Sequence, residues 1–272
     1  MQGPIAQALA LVAVGNASLN DRDVTGFWPN ASVFRFSKIC EFLAPSPTDD
    51  DAWLPVAQNP IEWFDRLKPW CVGLRLHVAP RAPQPGQSLL NERMSVGFVG
   101  GGPRWLIEAA GKDSAQIWQG FDRLLDRADP QQKIWANGYL LQGETEPQTL
   151  SADPLPLALA EFALVLEEIE QLARELHAEN FAHCFVEARE ALKSAPPPAG
   201  FYDDIAEYAG LDADARRALV AASSAWVFGG MGSWNDIGAP EALSARYERQ
   251  SEALFQVLQR VIAAIANATY RG

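Results

Sequence analysis

The rhythm of apolar and polar positions changes near residue 150. Before it, short runs alternate with period two, as half-buried strands do. After it, apolar residues recur every three or four positions, as on one face of a helix. Residues 4–19 place Ile5, Leu9, Val12 and Leu19 on one helical face, with Gly15 and Asn16 as an early stop. A loop punctuated by Gly26 and Pro29 follows. Over 33–43, Phe34, Phe36, Cys40 and Phe42 alternate with Arg35, Ser37 and Glu41, which predicts a strand. Residues 44–58 are rich in Pro and Asp and read as a loop. Asn59 before Pro60 is an N-cap followed by proline at the first helical position. A helix over 60–67, burying Trp63 and Leu67, is therefore expected.

From 70 to 142 the pattern predicts an antiparallel meander. Val72, Leu74, Leu76 and Val78 share one face of a first strand over 70–79. Residues 80–91, rich in Pro, Gly and Gln, read as a loop. Apolar runs over 94–99 and 105–110 flank Gly100, Gly101, Gly102 and Pro103, which predicts two strands joined by a tight turn. Residues 115–125 read as a strand, with a short helix as the alternative, and alternation continues over 133–141. Beyond 150, Leu155, Leu159, Phe162, Leu166, Ile169 and Leu172 follow helical spacing among glutamates. Phe181, Phe185, Ala188 and Leu192 continue it up to the prolines 196–198. A further helical stretch covers 206–228, with Asp212 as an N-cap. A last long helix starts at Pro240. The expected fold class is α+β: an N-terminal antiparallel β-meander followed by a C-terminal helical region packed on it. One domain is expected, mainly β over 1–150 and mainly α over 151–272; the alternative is two domains divided near 150.

Composition narrows the function classes. Of 272 residues, 48% are hydrophobic and 21% charged, a globular mixture. The formal charge of −12, with no compensating basic patch, disfavours nucleic acid and anionic lipid as partners. It suits solubility and would steer a basic protein partner. The three cysteines, Cys40, Cys71 and Cys184, are widely spaced in apolar runs and read as reduced, buried thiols. No apolar stretch reaches membrane-spanning length. Ala8 to Val14 faintly imitates a secretory h-region, but no Lys or Arg precedes Arg22, so a cytoplasmic protein is expected.

Candidate chemistry concentrates in two segments. Residues 226–236 hold Trp226, Gly229, Gly230, Gly232, Ser233, Trp234, Asn235 and Asp236 between two expected helices. They could close over a ligand, with backbone N–H groups as an anion nest. The favoured reading is an interhelical turn, with glycines ending one helix and Asn235 or Asp236 starting the next. Residues 97–105 hold four glycines before Arg104 and Trp105. The expected strand after them, where a dinucleotide fingerprint needs a helix, favours a hairpin turn. Arg104 and Glu108 could face a cleft.

His77, His177 and His183 lack metal-ligand spacing, so no metal and no cofactor is implied. There is no nucleophile elbow. Glu108, Asp122, Glu144 and Asp236 fall near expected strand ends or turns, where two could converge as acid and base. Glu108, Glu144 and Asp236 are the catalytic candidates of that reading. The segments 97–108 and 226–236, with 59–64, resemble motifs of an uncharacterised bacterial protein family. The resemblance implies a bacterial, cytoplasmic protein and carries no catalytic residue. Three functions stand in order: a non-catalytic partner of a basic protein, such as an immunity or antitoxin-like protein; a hydrolase with paired carboxylates; and a homo-oligomer burying Tyr247, Leu254 and Leu258 against a twin helix.

Overall fold

A computed structural model describes residues 1–49, 51–81, 91–98, 100–147 and 154–271. The fold is α+β, with a mixed six-stranded sheet among the described residues. Its strands are β1 (Ser37–Pro45), β2 (Trp53–Ala57), β3 (Gly73–Ala79), β4 (Arg104–Ala110), β5 (Ala115–Leu124) and β6 (Trp135–Thr145), in the order β2-β1-β6-β5-β4-β3. The helices are α1 (Gly3–Leu19), α2 (Phe27–Asn30), α3 (Pro60–Leu67), α4 (Glu92–Ser95), α5 (Leu155–Glu175), α6 (Glu179–Lys193), α7 (Asp203–Ala209), α8 (Ala213–Ser224) and α9 (Glu241–Asn267).

The expected meander is present as β3 to β6, each strand antiparallel to the next. Its neighbour β1, however, runs parallel to β6. The purely antiparallel expectation is corrected there: a parallel pair needs a long crossover, which the intervening meander supplies. The expected strand over 33–43 starts late. Ser32–Phe34 forms a 3-10 turn and Phe36 points to solvent, so alternation builds a strand only from Ser37. The expected loop over 44–58 contains β2. Most of the loop expected over 80–91, and the possible division near 150, lie outside the described residues. The strand expected over 94–99 is instead the short helix α4, capped by the Asn91 side chain; Val99 lies outside the described residues.

Helix α1 departs most from its expected form. It is buried on all sides from Ile5 to Ser18 rather than along one stripe, as befits a helix enclosed within a core. It contacts β3, β4 and β5 as well as α3, α7 and α9. Gly15 and Asn16 do not stop it, and both serve its packing. A Cβ on Gly15 would lie 2.3 Å from the Leu74 side chain, so the helix approaches the sheet where only glycine fits. The Asn16 amide donates to the Leu74 carbonyl (2.9 Å) and accepts from the Leu74 N–H (2.7 Å). Asn267, the last residue of α9, does the same for Leu76, at 3.0 and 2.7 Å. The two amides stand in for a missing neighbour strand and close the β3 edge, which would otherwise present unpaired backbone groups.

Helix α3 forms where Asn59 predicts it, the Asn59 side chain accepting from the Glu62 N–H at 3.0 Å. It seats Trp63 against Phe42, stacked at 4.3 Å, with Trp118 edge-on at 5.7 Å. Asp212 likewise caps α8 through the Ala215 N–H (2.8 Å). Helices α5, α6, α8 and α9 pack on one another beyond α1. Tyr247, Leu254 and Leu258 are buried inside this chain, so they do not offer a face to a twin helix. Cys40 and Cys71 are buried and Cys184 half-buried, all as free thiols. Burial pushes the Cys71 thiol up to about 11.

Candidate functional site where the two glycine-rich segments meet

The two glycine-rich segments, more than a hundred residues apart in sequence, touch through their backbones. A Cβ on Gly97 would lie 2.2 Å from the Gly229 carbonyl oxygen and 3.1 Å from the Gly230 nitrogen. No side chain fits between two main chains that close. On the far segment, Gly232 adopts a φ of +82°, which reverses the chain ahead of a short 3-10 turn, Trp234–Asp236. Ser233 and Asp236 cap that turn reciprocally. The Asp236 carboxylate accepts from the N–H groups of Gly232 (2.6 Å) and Ser233 (3.2 Å). An anion nest is therefore present at these two groups, and the protein's own carboxylate fills it.

Both tryptophans of this segment pack inward. Trp234 is fully buried, edge-on to Phe181 and Phe185, with its indole N–H donating to the Ser251 hydroxyl at 2.7 Å. Its carbonyl accepts from the Tyr247 hydroxyl at 2.5 Å. Half-buried Trp226 lies against Phe228 and Phe255. Trp105, at the start of β4, is half-buried against the same core, and neighbouring Arg104 is half-buried too.

A residue that the sequence did not single out joins the segments. Arg93, in α4, has a side chain only 1% exposed. Its guanidinium donates to Asn235 Oδ1 and to Glu248 Oε2, each at 2.5 Å, and lies 3.7 Å from Glu252. Asn235 returns a bond from its amide to the Arg93 carbonyl at 2.9 Å. A buried arginine needs such partners, because desolvation of its charge is otherwise uncompensated. Glu248 and Glu252, four apart on α9, were the available sequence signal: two carboxylates on one helical face, awaiting a cation.

Outside this clamp, large apolar side chains face solvent. Phe98 follows Gly97 and is 70% exposed; Met231, between Gly230 and Gly232, is fully exposed; Met94 of α4 is 41% exposed. Asp236, on the Met231 segment, and Glu248, paired with Arg93 of α4, are exposed as well.

The carboxylate candidates are not brought together. Glu108 is completely buried in β4, 2.8 Å from His77 Nε2 and 3.9 Å from Arg75, whose guanidinium covers the Tyr270 ring at 4.1 Å. Glu144 is exposed in β6 and accepts from Gln116 at 3.2 Å. Asp236 belongs to its turn. None of the three lines either of two clefts, the one between Arg22 and Arg271 and the one between Phe201 and Ser223. Asp122 is half-buried and bonded to the Asn137 amide at 2.5 Å; burial raises its carboxyl above the usual range, against the lowering effect of that bond. Among the described residues no cluster of three or more His, Cys, Asp or Glu is placed to hold a metal, and no helix is long and apolar enough to cross a membrane. Comparison with protein-family models, curated proteins and solved structures finds no match for the chain.

Proposed function

We propose that the chain is a non-catalytic protein-binding module that docks a basic partner in the cytoplasm, in the manner of an immunity or antitoxin protein. The observation that carries this reading is the exposure of Phe98 and Met231 on turns locked together through Gly97 and Gly229. Large apolar side chains held in water on a fixed backbone favour docking, because little chain entropy remains to be lost when they are covered. Glu248 and Glu252 pair with Arg93 of α4, the helix just ahead of Phe98, Asp236 belongs to the Met231 segment, and the whole chain carries −12. Such acidity accelerates encounter with a cationic surface and selects against an acidic one. The hydrolase alternative needs two convergent carboxylates, and no observation here favours it.

The test is comparative capture. Immobilised wild-type chain and a Phe98→Ser/Met231→Ser variant are exposed to extract from the cells that make the protein. Both substituted residues are exposed, so the variant should keep its melting temperature. The reading expects one basic protein, retained stoichiometrically by the wild type, released by salt and absent from the variant. Equal retention by both, or no stoichiometric partner, would sink it.

A further inference from the structure

A cavity lies away from the glycine-rich junction. It is a polar cleft of about 230 Å³ where the C-terminal ends of α1 and α9 meet the link between α7 and α8. Arg22 and Arg271 both line it. We propose that this cleft binds a small oxyanion, the carboxylate or phosphate group of a small molecule.

The Arg22 guanidinium is held by the end of α7. One nitrogen donates to the Glu207 carbonyl at 2.7 Å. The other rests over Gly210, where a Cβ would lie 2.7 Å away. Gly210 has a φ of +64° and ends α7 in the left-handed conformation, so glycine is required there both by backbone angle and by the arginine above it. A guanidinium offers five N–H donors. Among the described residues Arg22 spends donors only on Glu207, and Arg271 has no ion-pair partner. The one acidic residue in the lining is Asp212, and its carboxylate already caps α8. In a chain of net charge −12, the lining of this cleft holds two arginines against one aspartate.

Helix C-termini oppose an anion, and α1, α7 and α9 all end here. Each contributes roughly half a negative charge at most, and the effect fades within a turn. Two guanidinium charges largely offset these helix ends and the Asp212 carboxylate together, and they can reach an anion by direct charge-assisted hydrogen bonds. Arg216 helps by donating to the carbonyls of Leu211 (3.1 Å) and Ala206 (3.3 Å), which blunts the α7 end directly. Asn20 and Thr269 add neutral polar groups to the wall. The volume is below the ~300–1,000 Å³ typical of pockets for drug-sized ligands, so the ligand is small. Forked guanidinium groups match the paired oxygens of carboxylate and phosphate equally well. Geometry therefore fixes the shared chemistry, and the experiment separates the two sources.

The test is calorimetric titration of the full chain at low ionic strength, with inorganic phosphate in one arm and citrate in the other. Saturable binding in the millimolar range or tighter is expected in at least one arm, and the responding arm assigns the group. Arg22→Gln and Arg271→Gln should each weaken it by about tenfold or more, the scale of a lost charge-assisted hydrogen bond. Arg271 is exposed, so its variant keeps the fold even if Arg22→Gln does not. Arg127→Gln, in the β5–β6 connection, should change binding less than about twofold, because screening confines exposed charges to short range. Absence of saturable heat in both arms, or binding unaltered in the Arg271 variant, would overturn the proposal.

Discussion

Replacing Arg93 by methionine tests whether one buried cation holds the two glycine-rich segments together. Methionine keeps most of the apolar stem and removes the charge, so packing is changed little. Three terms follow from the contacts. Asn235 Oδ1, half-buried, loses its donor, which costs about 1–3 kcal/mol. Glu248, with a side chain 59% exposed, turns to water, so its loss is worth only about 0.2–1 kcal/mol. Glu248 and Glu252, left as like charges one turn apart, cost a few tenths more. Release of the buried guanidinium from its desolvation offsets part of the sum. The net expectation is destabilisation of about 2 kcal/mol, or roughly 4–8 °C in melting temperature for a chain of this size. Arg93→Ala adds a cavity and should cost about 2 kcal/mol more. The assay is urea and thermal unfolding followed by tryptophan fluorescence. A double-mutant cycle of Arg93→Met with Asn235→Ala should return a coupling of about 1–2 kcal/mol. Coupling near zero, with Arg93→Met as stable as the wild type, would refute the clamp.

Three further outcomes are expected. Gly97→Ala drives a methyl group into the Gly229 carbonyl and should destabilise by about 1–3 kcal/mol in thermal unfolding, the cost of overpacking against backbone. Asn16→Ala strips the Leu74 N–H and carbonyl of their partner and should cost about 2–4 kcal/mol, with amide exchange at Leu74 accelerating before that of the central strands. The third concerns pH. The carboxyl of Asp122 is raised in the folded state, so that state binds its proton more tightly than the unfolded chain. Wild type therefore loses stability as pH rises from the ordinary carboxylate range through the raised value. Asp122→Asn, which keeps an acceptor for Asn137, should remove that loss. Urea midpoints at pH 4 and pH 7 check it: the variant gains on the wild type only at pH 7, and equal differences at both would count against the cause assigned.

Local signals in the sequence reported local structure well. Asn59 with Pro60 marked α3, Asp212 marked α8, and period-two alternation marked β3, β5 and β6, because each is set by contacts within a few residues. Features decided by distant partners were hidden. Gly15 and Asn16 read as a helix stop because their partners, Leu74 and Thr269, lie 58 and 253 positions away in the hydrogen-bonding pairs that Asn16 makes. The parallel pairing of β1 with β6 spans the whole meander, and β2 sat unnoticed beside a Pro- and Asp-rich stretch. At the candidate site the glycines and tryptophans stood out by composition. Arg93 did not, since its partners Asn235 and Glu248 are 142 and 155 positions away.

The most direct measurement places a photoreactive benzoylphenylalanine at position 98 or, as a control of similar exposure, at position 201, in the cells that make the protein. Phe98 is 70% and Phe201 87% exposed, so solvent access alone would label from both. The account predicts one basic protein crosslinked from position 98 and none from position 201. Adducts from position 201 alone, the same adduct from both, or none from either would contradict it.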